Sequence, residues 1–168
     1  VIVYAYVLLY NHGHLLVETP RGNLSRFMHR LNTAYSAYYR LRYSSRHAGS
    51  VFQPRYKAPL VRGDDYLLRL TRYIHLNPVR AGIINTPGQY RWSSYPGYHN
   101  PRRTIAWMTY EKVLEEFGLD AKQSRAAYRQ FVSAGVERKP ASPFSQAFGG
   151  ILVGSDTFVE RVREMLGD

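Results

Sequence analysis

Apolar residues crowd the start of the chain: "VIVYAYVLLY" at 1-10 is nearly continuous, and "HLLVE" follows after Asn11, His12 and Gly13. Short apolar runs bounded by turn residues read as buried strands. We therefore expect a strand over 1-10 that continues as, or turns into, a second over 14-18, closed by the turn "TPRGN". The period then changes. Leu24, Phe27, Met28, Leu31, Tyr35, Tyr38 and Tyr39 recur at helical spacing, which predicts a helix starting at Asn23 or Ser25, with Arg26, Arg30 and Arg40 marking its polar faces. Its tyrosine stripe reads as core packing.

Further along, "SSRHAGS" reads as a loop and "VFQPRYKAPLV" as a strand, with Pro54 and Pro59 favouring an edge or a bulge. Asp64 or Asp65 can cap a helix over "DYLLRLTRYIHL". That helix should close at Asn77-Pro78, because the residue before proline is pushed out of the α region. "TPGQYRWSSYPGYHNPRR" then reads as an aromatic, proline-rich loop. Beyond it, helices are expected near 109-117, 121-134 and 156-166, with Gly118 and Gly135 as stops and Ser155 as a cap. No internal repeat is visible.

A chain of 168 residues suffices for one domain with a core, or one domain plus a helical appendage. With no cysteine, disulfides, thiolate catalysis and cysteine-ligated metal centres are excluded, and the composition fits a reducing compartment, pointing to the cytoplasm. No apolar run approaches the ~20 residues that span a bilayer, and the apolar start lacks the basic flank and cleavage site of a signal peptide. We read it as a strand. Because it begins in mid-core without Met, the chain reads as a fragment lacking an earlier strand and helix.

The net charge of +11 is unevenly placed. Residues 1-103 carry 15 Lys and Arg against 3 Asp and Glu, whereas 104-168 carry 8 against 9; 13 of the 15 tyrosines also lie in the first part. Cations that displace counterions from phosphates, interleaved with rings that stack on unpaired bases, suit a nucleic acid. The alternative is a basic soluble surface with tyrosines in the core. A membrane-surface role is disfavoured, since no long amphipathic helix gathers the charges.

Two positions now invite chemistry. On a strand, His12 and His14 would point to one face about 6.5 Å apart, close enough to share a metal ion. Two ligands are half a site, and such a pair also occurs as tolerated polar residues near a strand end. The helix "TRYIHLNP" offers Tyr73 and Asn77, four apart and so on one helical face, with Cβ atoms roughly 5-6 Å apart. His75 lies off that face and reads as packed or capping.

"NHGHLLVETPRGNLSRFMHRL", "FQPRYKAPLV" and above all "YLLRLTRYIHLNPVRAGII" followed by "YRWSSY" resemble the REP-associated tyrosine transposases, single-strand DNA transposases of the HUH superfamily. The resemblance covers residues 1 to about 98. It implies an α+β fold with a ferredoxin-like (RRM-like) antiparallel sheet and packed helices, here a catalytic domain over 1-103 with a helical C-terminal extension over 104-168. Carried over motif by motif, it makes His12, His14 and Asn77 metal ligands and Tyr73 the nucleophile. The sequence departs from the family at Gly13, where an apolar residue is usual, at Tyr10, where proline is common, and at Ser50 and Pro54, where His and Gly are favoured. The missing first strand and helix should leave a sheet edge uncovered.

In such a site a divalent ion, Mg²⁺ or Mn²⁺, would polarise the scissile phosphate while the tyrosine attacks, leaving a 5′-phosphotyrosine and a free 3′-OH. Arg55, Lys57, Arg72 and Arg80 are credible phosphate contacts, though each also reads as solvated surface. The expected partner is single-stranded DNA with hairpin structure, with a homodimer left open. Two other classes remain: a degenerate copy that binds a single-stranded hairpin without cutting, and a metal-dependent hydrolase that uses the histidine pair with water.

Overall fold

The computed structural model describes residues 1–43, 49–53, 55–61, 64–118, 120–138, 152–153 and 164. They form two compact units, one of Val1 with residues 19–58 and one of residues 2–18 with 59–168. The fold is α+β, with an antiparallel strand pair and packed helices, as expected.

In the larger unit, β1 (Ile2–Leu8) and β2 (Gly13–Glu18) make a hairpin in which Val7 faces His14 and Leu8 faces Gly13. The apolar run thus ends two residues earlier than the pattern suggested, because Leu9 to His12 form the turn; the Leu9 N–H donates to the His12 carbonyl at 2.7 Å. The register shifts between Val3 and Ala5, leaving Tyr4 as an extra residue. A bulge of this kind bends the strand. Val3, Tyr4, Ala5 and Val7 are all buried. Tyr4 donates its hydroxyl to Glu18, which also pairs with Lys112 at 3.1 Å.

The outer edge of β1 is held by local chain rather than left bare. Ser94 N–H donates to the Tyr6 carbonyl at 3.0 Å, Leu8 N–H to the Trp92 carbonyl at 2.8 Å, and Thr109 N–H to the Val3 carbonyl at 3.0 Å. The segment around 92–94 therefore does part of what a neighbouring strand would do. Among the described residues, β3 (Leu60–Val61) is the part of the strand expected over 51–61 that forms, and it pairs in parallel with β4 (Leu152–Val153). Pro59 carries no amide hydrogen, so the preceding chain cannot extend a ladder through it.

α2 (Asp64–Arg80) begins where expected but runs past Asn77-Pro78. Pro78 forfeits one backbone hydrogen bond, a loss confined to the last turn. Termination is set instead by Gly82, at φ 68°, where Ile83 N–H reaches the Pro78 carbonyl (2.9 Å) and Gly82 N–H the Val79 carbonyl (3.0 Å). This is a Schellman ending, in which glycine takes the left-handed position. Leu67, Leu70 and Ile74, at helical spacing, are buried and carry α2 into the core.

The expected aromatic loop over 86-103 is instead mostly short helical turns, including α3 (Tyr95–His99), and its Tyr95 and Tyr98 are buried. Burying those rings outweighs the turn-forming composition, since each removes a large apolar area from water. α4 (Glu111–Glu115) and α5 (Ala121–Arg138) follow. Gly118, at φ 61°, separates them as predicted. Gly135 does not stop α5. It is buried within the helix, where a Cβ would come within 2.7 Å of Leu76 and 2.9 Å of Arg72, so its role is close approach of α5 to α2. One core joins Val3, Leu67, Leu76, Tyr95 and Tyr98 to Met108, Tyr110, Val113, Tyr128 and Val132. Apart from Glu164, which is helical, the helix expected over 156-166 lies outside the described residues, as does most of the "SSRHAGS" loop.

The smaller unit carries α1 (Leu24–Tyr43), close to the predicted start. Contrary to expectation, none of its residues is buried, so the tyrosine stripe is not core packing. Ring-to-ring contacts within the unit account for its order: Tyr35 meets Tyr39 at 6.1 Å and Phe52 at 5.6 Å, and Tyr39 meets Tyr43 at 4.9 Å.

Candidate active site

The hairpin and α2 bring three of the sequence-predicted residues into one chain of ring contacts. His12 and His14 lie 5.1 Å apart between centroids, edge to face, and His14 meets Tyr73 at 5.8 Å in the same manner. His14 is on β2, but His12 sits in the turn just before it, so the pair is not two residues of one strand face. The turn brings them together all the same. Gly13 permits this: a Cβ there would stand 3.2 Å from the Val7 carbonyl oxygen and 3.1 Å from the Leu8 side chain.

His12 Nδ1 lies 2.7 Å from Asn11 Oδ1. An acceptor amide at that nitrogen favours the tautomer with Nδ1 protonated, leaving Nε2 with a free lone pair. Burial, and secondarily the neighbouring His12, push the His14 pKa below the usual imidazole value, so His14 is neutral at pH 7. A neutral imidazole, as at His14, is what a divalent cation requires of such a ligand.

Tyr73 is half-buried beside Ala5, Val7 and Ile74, and the Arg80 guanidinium lies over its ring at 5.2 Å from the centroid. Asn77, one turn along α2, donates its Nδ2 to the Tyr73 carbonyl at 2.9 Å. The amide is thereby oriented with its NH₂ engaged, and Oδ1 is the atom able to ligate a cation. Arg72 takes a different place. Its guanidinium lies over the Phe131 ring of α5 at 4.1 Å, and burial lowers its pKa. Arg55 and Lys57 are exposed in the smaller unit. Among the described residues no group of three or more His, Cys, Asp or Glu could hold a metal ion, and the contact that the Asn77 side chain makes is to the Tyr73 carbonyl rather than to either histidine.

A buried polar bridge supports this arrangement: His75 is packed, as its place off the Tyr73–Asn77 face suggested, whereas its partners Ser94 and Tyr128 were not singled out in the sequence. His75, between Tyr73 and Asn77 on α2, is fully buried, with Nδ1 2.6 Å from the Tyr128 hydroxyl and Nε2 2.8 Å from Ser94 Oγ. Ser94 Oγ also accepts from the Tyr6 N–H at 2.9 Å. The bridge therefore ties the helix bearing Tyr73 to the hairpin bearing the histidines, and both to α5. The only signal in the sequence was "YRWSSY" itself. Tyr90 adds a brace, donating its hydroxyl to the Leu8 carbonyl at 2.6 Å, next to the turn that holds His12.

Burial pushes the His75 pKa down to about 3. Unfolded, the same imidazole titrates near 6.5. Between those values the unfolded chain binds a proton that the folded one refuses, so stability should fall as pH drops from about 6.5 to about 3, by about 1.4 kcal/mol per pH unit from this residue. Urea unfolding at several pH values should show that slope reduced by about one proton in His75→Gln. An unchanged slope would contradict the assignment.

Residues 1–77 match the family model described as "Transposase IS200 like". Over those residues the chain is similar to that family. It contains both histidines, Tyr73 and Asn77. No curated protein and no solved structure matches the chain. No helix among the described residues is long and apolar enough to cross a membrane.

Proposed function

We propose that the chain is a REP-associated, HUH-type tyrosine transposase that cleaves and rejoins single-stranded hairpin DNA through a covalent bond to Tyr73. The observation that carries the reading is the run of contacts His12, His14, Tyr73, with Arg80 over the phenol ring. His12, His14 and the Oδ1 of Asn77 would hold Mg²⁺ or Mn²⁺. Imidazole nitrogens and an oriented amide oxygen suit such an ion, though imidazole also accepts softer metals. The bound ion supplies polarisation of the scissile phosphate and offsets its growing negative charge.

The chain's own residues do the rest. The Tyr73 oxygen attacks the phosphorus, the bond to the upstream 3′-oxygen breaks, and that oxygen leaves as a 3′-OH after taking up a proton. The downstream strand stays attached as a 5′-phosphotyrosine. The phosphodiester energy is retained, so the reverse attack by a 3′-OH rejoins strands without ATP. Arg80, whose guanidinium lies over the Tyr73 ring, is a cation able to engage the phosphate there. Arg72, stacked on Phe131, has a larger part in packing α5.

The test of the metal site is His14→Ala. With Mn²⁺ and a labelled single-stranded hairpin, the variant should lose cleavage by on the order of a hundredfold or more while binding the hairpin nearly as well, because the basic surface is unchanged. Cleavage at the native rate by the variant, or by the native chain in excess chelator, would contradict the metal assignment. Release of both DNA ends with no adduct would favour a hydrolase, and binding without any cutting a degenerate copy.

A further inference from the structure

The smaller unit holds chemistry that the cleavage reading does not use. From Arg21 to Lys57, residues 19–58 carry their Lys and Arg without a single Asp or Glu. Along α1, Tyr35, Tyr39 and Tyr43 recur every four residues and form a ladder of rings 6.1 and 4.9 Å apart, with Tyr38 joining at 6.4 Å from Tyr35. Tyr38 is 57% exposed and Tyr35 46% exposed. Arg40 and Arg42 sit among them in the last turn.

A 20-residue helix with no buried residue, aromatic along one side and without acidic side chains, calls for a partner that is anionic and also offers flat apolar faces. Single-stranded DNA supplies both, as phosphates and unpaired bases. A duplex keeps its base faces stacked inside. An acidic peptide has the charge without the rings, and an anionic bilayer favours a continuous aliphatic stripe over a ladder of phenols in mutual contact.

We propose that the tyrosine ladder of α1, with Arg40 and Arg42, is a stacking surface that grips unpaired bases of single-stranded DNA through residues other than those that cut. The surface is independent of the cleavage chemistry and holds whether or not Tyr73 is the nucleophile.

The experiment uses the full chain in chelator, with four probes: labelled oligothymidylate, an abasic deoxyribose-phosphate strand of equal length, a duplex, and phosphatidylserine vesicles. The native chain should prefer oligothymidylate to the abasic strand. Tyr38→Ala with Tyr43→Ala should weaken oligothymidylate binding about 25-fold, about fivefold for each ring, and leave the abasic strand unaffected. Tyr38→Phe with Tyr43→Phe keeps the rings and should bind as the native chain does. Arg42→Gln should weaken both strands and lower the salt slope for oligothymidylate by about 0.7.

Four results would overturn the proposal: native affinity in the alanine variant, no preference over the abasic strand, equal loss in the phenylalanine variant, or equally tight binding of duplex or vesicles that the alanine change abolishes. Adduct formation on a hairpin is read separately, so failure of the cleavage reading leaves this result interpretable.

Discussion

Tyr73→Phe is expected to abolish covalent attachment of DNA and cleavage together, by on the order of 10³-fold or more, while folding and hairpin binding persist. The change deletes only the attacking oxygen. The ring that meets His14 at 5.8 Å and lies under Arg80 at 5.2 Å stays in place, as does the half-buried packing against Ala5, Val7 and Ile74. A tyrosine with a purely structural role would behave in the opposite way, costing at most a few kcal/mol of stability and sparing activity. The test is a denaturing gel of protein incubated with Mn²⁺ and a 5′- or 3′-labelled hairpin, with hairpin affinity measured in parallel. Adduct at the native level from Tyr73→Phe would refute the role assigned to Tyr73.

The second large effect is on stability. Tyr128→Ala should cost about 3–5 kcal/mol, the range for deleting a large buried ring. Tyr128 is fully buried, stacks on Tyr98 at 4.7 Å and meets Phe117 at 6.2 Å, and its hydroxyl is the partner of His75 Nδ1. Removing it empties the centre of the core and strands a buried imidazole nitrogen. Tyr128→Phe isolates the second part and should cost about 1–3 kcal/mol. Set against a typical stability of about 5–15 kcal/mol, the alanine variant is close to unfolding, and adduct formation should fall with it because the same bridge holds α2 to the hairpin. Urea unfolding followed by far-UV dichroism measures both. A loss below about 1 kcal/mol for Tyr128→Ala would show that α5 does not share this core.

The candidate site was more legible than the architecture around it. His12, His14, Tyr73 and Asn77 were singled out through local spacing and motif, and the first three do meet in one run of rings, because short spacings survive errors in the surrounding elements; His12 lies in a turn, yet the turn still brings it to His14. Helix ends were less legible. Pro78 looked like a stop but costs little in a final turn, and the end is set by Gly82, whose positive φ no periodicity displays. Gly135 looked like a stop and is a contact point, because glycine serves both uses and only the neighbouring helix distinguishes them. Proline, glycine and tyrosine over 86-103 suggested a loop, whereas burial of Tyr95 and Tyr98 makes that segment core. The ring stripe of α1 erred the other way, since apolar periodicity reports a sided helix without saying what covers the side. The bridge of His75, Ser94 and Tyr128 joins residues 19 and 53 positions apart, a pairing that only the folded chain reveals.

The central claim is that the chain joins DNA to itself at one particular oxygen. Trypsin cuts after Arg72 and Arg80, releasing "YIHLNPVR", residues 73-80, which contains Tyr73 and no other tyrosine. The native chain would be incubated with Mn²⁺ and a single-stranded hairpin, digested with nuclease and trypsin, and read by mass spectrometry. The account predicts that this peptide gains the mass of a nucleoside 5′-phosphate on Tyr73. Attachment to any other tyrosine, or complete cleavage with every tyrosine peptide unmodified at all times, would contradict it.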